Sequence, residues 1–190
     1  MFISHVDTGL ERLLRRQLPL PEDVGDVSFD PPSRTWSAQL SRINVNLFLY
    51  DVQRSAHPGG PPQVRPGENG GRPERRAPQP MLQLGYLVSA WAGTARDEHQ
   101  LLGDVISLLS GVELIPPDLL PDDLSSSVRL ILGDPANLPR EIWSAAGGSL
   151  KASVSLQATV AADSFEWAPQ APAVARIQAI ARRMVDQQHA

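Results

Sequence analysis

The chain has 190 residues, 42% of them hydrophobic, a net charge of −4 and no cysteine. That length supports one well-buried core with extensions rather than two full domains. The missing cysteine excludes disulfides, thiolate metal sites and a cysteine nucleophile, and the acidic balance argues against a general nucleic-acid binder.

At the N-terminus, Phe2, Ile3, Val6, Leu10, Leu13 and Leu14 fall on one helical stripe with charges interleaved, unlike the unbroken apolar block of a signal peptide. A helix over residues 4–18 is expected, ending at the prolines of "LPLPED". No stretch approaches the roughly 18–20 apolar residues of a membrane helix, so the chain is expected to stay in the cytosol unless lysis releases it.

A strand is expected over residues 24–29, then a turn at "DPPSRTW" and a second strand over 43–52. In that second strand Ile43, Val45, Leu47 and Leu49 alternate with Asn44, Asn46, Phe48 and Tyr50. After a Pro/Gly-rich interval, "MLQLGYLVSAW" resumes β character, with Leu82, Leu84, Tyr86 and Val88 on one face and Gln83, Gly85, Leu87 and Ser89 on the other. "RDEHQLLGDVISLLSG" reads as a helix whose apolar face carries Leu101, Leu102, Val105, Ile106, Leu108 and Leu109, with Gly111 at its C-terminal end.

"SSVRLILGD" is a short strand. "DPANLPREIWSAAGG" is a short helix with Asn137 as N-cap and Pro139 in the first turn. In the last strand Leu150, Ala152, Val154, Leu156 and Ala158 alternate with polar residues, the pattern of a strand wet on one side. The order predicts an α+β fold: a mixed or mostly antiparallel sheet of about five strands flanked by helices.

Two segments stand outside that core. Residues 53–80 hold seven prolines and five glycines, with Val64 their only apolar side chain larger than alanine, so they are expected to be unstructured when the subunit is alone. Arg54, Arg65, Arg72, Arg75 and Arg76 against Glu68 and Glu74 give this interval a net +3 and leave −7 for the rest. It is either a solvated linker or a loop that docks on an acidic partner. Residues 166–190 read as a Pro/Ala linker and a C-terminal amphipathic helix, with Val174, Ile177, Ile180 and Met184 on its apolar stripe, able to fold back or reach a neighbour. The main domain is thus residues 1–165.

Chemistry is hard to find. His5, His57, His99 and His189 are scattered, without a partner at metal-clamp spacing. Asp122 and Asp123 have no third ligand in view. There is no nucleophile elbow, phosphate loop or dinucleotide fingerprint. No catalytic, metal or cofactor-binding residue is assigned, and no cofactor is expected.

The order of segments nevertheless resembles a known family. "INVNLFLYDV", "PMLQLGYLVSAW", "EHQLLGDVISLLSGVELIP", "SVRLILGD" and "EIWSAAGGSLKASVSLQATV", after an amphipathic first helix, are similar to blocks of the tail-terminator, or cap, proteins of extracellular contractile injection systems of the antifeeding-prophage and virulence-cassette kind. Their N-terminal domain was formerly a domain of unknown function. Matching positions include Asn46, Leu47, Leu49, Tyr50, Tyr86, Leu87, Leu101, Leu102, Gly103, Trp143, Ser153 and Val154. The sequence departs at Gln83 and Gly85, where the family carries an acidic residue and a histidine.

The resemblance implies a fold like that of phage tail terminators. It also implies a homo-oligomeric ring, a hexamer, on the baseplate-distal end of the inner tube, with tube and sheath proteins as partners and assembly in the bacterial cytoplasm. It implies no small-molecule substrate and no contact with nucleic acid or membrane. A transient assembly chaperone for tube or sheath subunits is the alternative, and a small enzyme the weakest reading.

Overall fold

The computed structural model describes residues 2–18, 20–67, 71–122, 124–133 and 139–170. The expected elements occur in order, with four short ones added (α2, β3, β4 and β8): α1 (Phe2–Gln17), β1 (Gly25–Ser28), α2 (Arg34–Ser37), β2 (Ile43–Arg54), β3 (Gln63–Arg65), β4 (Glu74–Arg76), β5 (Met81–Trp91), α3 (Ala95–Ser110), a 3₁₀ turn (Pro117–Leu119), β6 (Arg129–Leu132), α4 (Pro139–Ala146), β7 (Ser153–Ala161) and β8 (Ala168–Pro169). The main sheet has five strands in the order β1-β2-β5-β7-β6. β1 runs parallel to β2 and the other neighbours are antiparallel, so the sheet is mixed, as the sequence predicts.

Its core-facing side is the apolar row. Val45 and Leu47 of β2, Leu84, Tyr86 and Val88 of β5, and Leu156, Ala158 and Val160 of β7 meet Val6, Leu10, Leu13 and Leu14 of α1 with Val105 and Leu109 of α3. Full burial of each such side chain contributes about 1.5–3 kcal/mol before entropy, which makes this layer the principal source of stability. Arg12 Nη1 donates to the Leu119 carbonyl at 3.2 Å, and Arg16 pairs with Asp118 at 2.5 Å, fixing α1 against the 3₁₀ turn. Residues 113–115 cover the outer edge of β6 through Leu130 N–H to Glu113 O (2.8 Å) and Ile115 N–H to Val128 O (3.0 Å).

Three local readings change. "DPPSRTW" contains α2, begun by Ser33, whose hydroxyl accepts from Trp36 N–H at 3.2 Å. β7 starts at Ser153, so Leu150 and Ala152 are not in the strand and Leu150 is 70% exposed. The polar face of β7 is only partly wet: Ser155 and Thr159 are buried and Ser153 and Gln157 half-buried, and at its start the Trp143 indole N–H of α4 donates to Ser153 Oγ at 2.9 Å. The proposed N-cap Asn137 lies outside the described residues. Thr94 caps α3 by accepting from Asp97 N–H at 3.2 Å, and Gly111 takes the C-cap position in a helical, not left-handed, conformation.

Asn44 and Asn46 are buried on the opposite face without loss, because each finds partners. Ser28 Oγ donates to Asn44 Oδ1 at 2.7 Å, and Asn46 Nδ2 donates to the Asp30 carbonyl at 3.0 Å. In the core, the Tyr86 hydroxyl donates to Asp7 Oδ1 of α1 at 2.7 Å, tying the first helix to the central part of the sheet. Burial, and then the Asp7 carboxylate, push the Tyr86 phenol well above its ordinary range. Burial also raises the Asp7 carboxyl, and the hydrogen bond from Tyr86 offsets part of that rise.

A carboxyl with a raised folded-state pKa holds its proton more tightly in the native state. Its contribution to stability is therefore present below the ordinary carboxylate range and lost as the pH rises through the folded value. Asp7→Asn keeps an acceptor for Tyr86 and should raise Tm relative to the parent at pH 7, the gain vanishing near pH 4. Tyr86→Phe should lower stability by about 1–3 kcal/mol at pH 7. Thermal denaturation across that pH range checks both.

Candidate interaction surfaces

Beyond the end of β2 the chain carries the arginine-rich interval, and within it two three-residue strands are paired. β3, β4 and β8 form a separate three-stranded sheet in the order β3-β4-β8. Polar ties hold it, since apolar side chains are scarce. Arg65 Nη2 pairs with Glu74 Oε2 at 2.7 Å across the strands, and its guanidinium lies 4.5 Å from the Trp167 ring centre. Arg76 Nε donates to the Phe165 carbonyl at 2.6 Å and Nη2 to Asp163 Oδ1 at 3.2 Å. Gln79 and Phe165 exchange two hydrogen bonds of 2.8 and 2.9 Å, and Gln170 N–H reaches the Pro73 carbonyl at 2.8 Å. Asp163, which also accepts from Ser125 Oγ, sits at φ 49°, an uncommon conformation that asparagine and aspartate tolerate best.

The five arginines therefore divide. Arg65 and Arg76 are engaged within the arm, while Arg54, Arg72 and Arg75 are exposed. The register sets Val64 opposite Arg75, so an apolar side chain and a cation share one face of this small sheet. Val64 is 61% exposed. Sequence reasoning missed Asp163 and Phe165, 87 and 89 residues from Arg76, and Trp167, still further from Arg65. The C-terminal positions Val174, Ile177, Ile180 and Met184 lie outside the described residues.

The remaining family-like positions have local explanations. Leu47 and Tyr86 are core residues, Leu49 packs against the core, and Leu102 is buried. Leu101 is half-buried on α3, and the space around Gly103 is open. Tyr50 lies over Gly85, where an added Cβ would come within 3.0 Å of its ring, so a histidine-sized side chain would displace the tyrosine. A bulge between Leu49 and Asp51 lets Tyr50 take that place. Trp143 is buried against Gly148, whose Cβ would meet the Pro32 carbonyl at 2.4 Å and the indole at 2.8 Å. Trp91 meets Trp36 edge-on at 5.2 Å and Trp143 at 6.1 Å. Lys151 sits 4.0 Å over the Trp91 ring and pairs with Glu98.

A cavity of about 260 Å³ brings Glu98, His99 and Lys151 together, but Lys151 is already committed to Glu98 and Trp91 and no side-chain hydroxyl or thiol lines the space. Among the described residues no group of three His, Cys, Asp or Glu is placed to hold a metal ion, and no helix is long and apolar enough to cross a membrane. Asp123 and His189 lie outside the described residues. What this geometry offers is surface: a charged arm at one end of the sheet, and grooves at the other.

The family model for the Pvc16 N-terminal domain matches residues 5–176. The chain belongs to this family. Among solved structures, the fold matches the sheath/tube terminator of an extracellular contractile injection system, PVC, in its extended state, with a TM-score of 0.65 and 18% identity over 97% of this chain and 65% of that one. It also matches the tube-terminating cap of the anti-feeding prophage, with a TM-score of 0.58 and 12% identity over 94% of this chain and 60% of that one. The chain thus spans less than two thirds of the length of each of these structures. No curated protein sequence matches it.

Arg76→Ser should free the small sheet from residues 163–165 and speed amide hydrogen exchange in 63–65 and 74–76 at least tenfold. Arg75→Ser, outward-facing, should leave those rates within a factor of two of the parent.

Proposed function

We propose that this chain is the cap, or tail terminator, of a contractile injection system. In this reading copies of the chain close into a ring, a hexamer, on the baseplate-distal end of the inner tube, end its growth and contact the last sheath layer. The observation that carries the reading is a family match over residues 5–176, joined to a fold shared along 97% of the chain with a sheath/tube terminator. The role is structural, not enzymatic. It needs no cofactor, and assembly takes place in the bacterial cytoplasm. The same polypeptide acting as a transient chaperone of tube or sheath subunits would be absent from finished particles, which mass spectrometry of purified particles distinguishes.

A ring needs two different complementary patches on every subunit, because head-to-tail contacts repeat around the axis. The exposed arginines of the arm supply one patch of marked sign, aimed at an acidic surface of a neighbouring subunit or of the sheath. The segment after residue 170, with Val174, Ile177, Ile180 and Met184, is assigned to a neighbour contact as well.

Mixed with tube protein, the chain should form rings by negative-stain microscopy and mass photometry; a strict monomer under those conditions would remove the reading. Replacing Arg54, Arg72 and Arg75 with Ser should leave the melting curve unchanged and let tubes grow longer. The gap between variant and parent should narrow between about 0.05 and 0.3 M salt, because screening weakens the parent's charge contacts and the variant has none left to screen.

A further inference from the structure

The end of the sheet opposite the arm is built as the arm's complement. Two grooves meet there and share Ile43 and Ala92 in their walls. One, of about 490 Å³, runs past Val24, Leu40 and Trp91. The other, of about 200 Å³, lies between the end of α1 and α3 and is lined by Leu18, Leu20 and Leu101. Its α3 wall carries Asp97 and Asp104, both exposed, and the exposed Glu22 and Asp23 immediately precede Val24, which lines the larger groove. Arg42, in the wall of the larger groove, offsets part of this charge through Asp26 at 3.5 Å and donates to the Glu22 carbonyl at 2.7 Å, while the carboxylates of Glu22, Asp23 and Asp104 form no ion pair among the described residues. The result is an apolar floor with an acidic rim.

The arm shows the inverse: Val64 stands out beside Arg75, with Arg54 and Arg72 also exposed. An apolar knob with a basic rim suits an apolar floor with an acidic one, the usual division between the centre and the edge of a protein contact. The groove lies at the Ile43 end of the β2–β5 ladder, and the arm, a separate small sheet, follows its Arg54 end. Ile43 opens the twelve-residue strand β2 and Arg54 closes it, about 35 Å away at roughly 3.3 Å per residue. An ordered sheet cannot fold its own arm back over that distance, so the two surfaces meet only between copies.

We infer that the arm of one subunit, through Val64, Arg54, Arg72 and Arg75, docks in the Ile43–Leu101 groove of the next, against Glu22, Asp23 and Asp104. The occupant of the groove is thus a second copy of this chain, joined head to tail. This deepens the ring reading and rests on it.

The test reverses each patch in the full chain. An arm variant carries R54E, R72E and R75E; a groove variant carries E22K, D23K and D104K. All six residues are exposed, so circular dichroism and Tm should match the parent. With tube protein present, each variant alone should lose ring formation by at least tenfold in concentration. Mixed one to one they should recover it, since an acidic arm now meets a basic groove and a basic arm an acidic one, in rings that mass photometry of a size-tagged partner shows to contain both. If either variant alone assembles like the parent, or the mixture does not recover, the pairing is wrong while the parent's rings keep the capping role intact. If the parent itself stays monomeric beside tube protein, both fail together.

Discussion

The ladder between β2 and β5 is the constraint on which the rest of the molecule depends. It runs from Asn44 opposite Trp91 to Arg54 opposite Leu82, broken only by the bulge at Leu49 and Asp51. Alternation along it sends one row of side chains under α1 and α3 and the other beneath the tryptophan cluster, so a single register decides what is core and what is polar contact. The bulge shifts that alternation by one and returns Val52, half-exposed, to the side of Leu84. Because the strands continue beyond the part that the helices cover, their far end is available to carry a second, smaller sheet.

That smaller sheet is held differently from the core. It has almost no apolar mass, and its coherence comes from Arg65 with Glu74 and Trp167, and from Arg76 with Asp163 and the Phe165 carbonyl. The Arg76–Asp163 pair is largely shielded from solvent, which makes it more effective than an exposed pair such as Arg129 with Glu113. Prolines at 61, 62 and 66 bracket β3, and Pro169 ends β8, so each edge offers another chain only a very short ladder. Side chains therefore carry most of what this arm can offer a partner.

The main sheet was legible because its signals are local. Ile43, Val45, Leu47 and Leu49 alternate within one strand, and Leu10, Leu13 and Leu14 repeat within one helix, so period alone assigned them. Leu150 was misplaced because the alternation continues through Ala152 although the chain turns there to bring Lys151 onto Trp91. The arm was illegible for a different reason. Composition says how much a segment can bury, and 53–80 can bury little, but it says nothing of polar partners supplied from 163–170. The groove was equally hidden: Glu22, Ile43 and Asp104 come from three distant parts of the sequence, and only the fold sets them side by side.

Under the proposed capping role, the modest strength of such contacts is an advantage. An exposed ion pair contributes about 0–1 kcal/mol, so a contact made by three arginines and one valine is weak between two free subunits. Ring closure changes this, because once neighbours are held in place each further contact forms at a high effective concentration. A tube end that binds several subunits at once would supply that template, and free subunits would remain apart. A strongly apolar arm would instead associate anywhere, including on tubes still growing. On that reading, the scarcity of apolar side chains in 53–80, which from composition alone suggests a passive linker, would confine assembly to the place where a cap is needed.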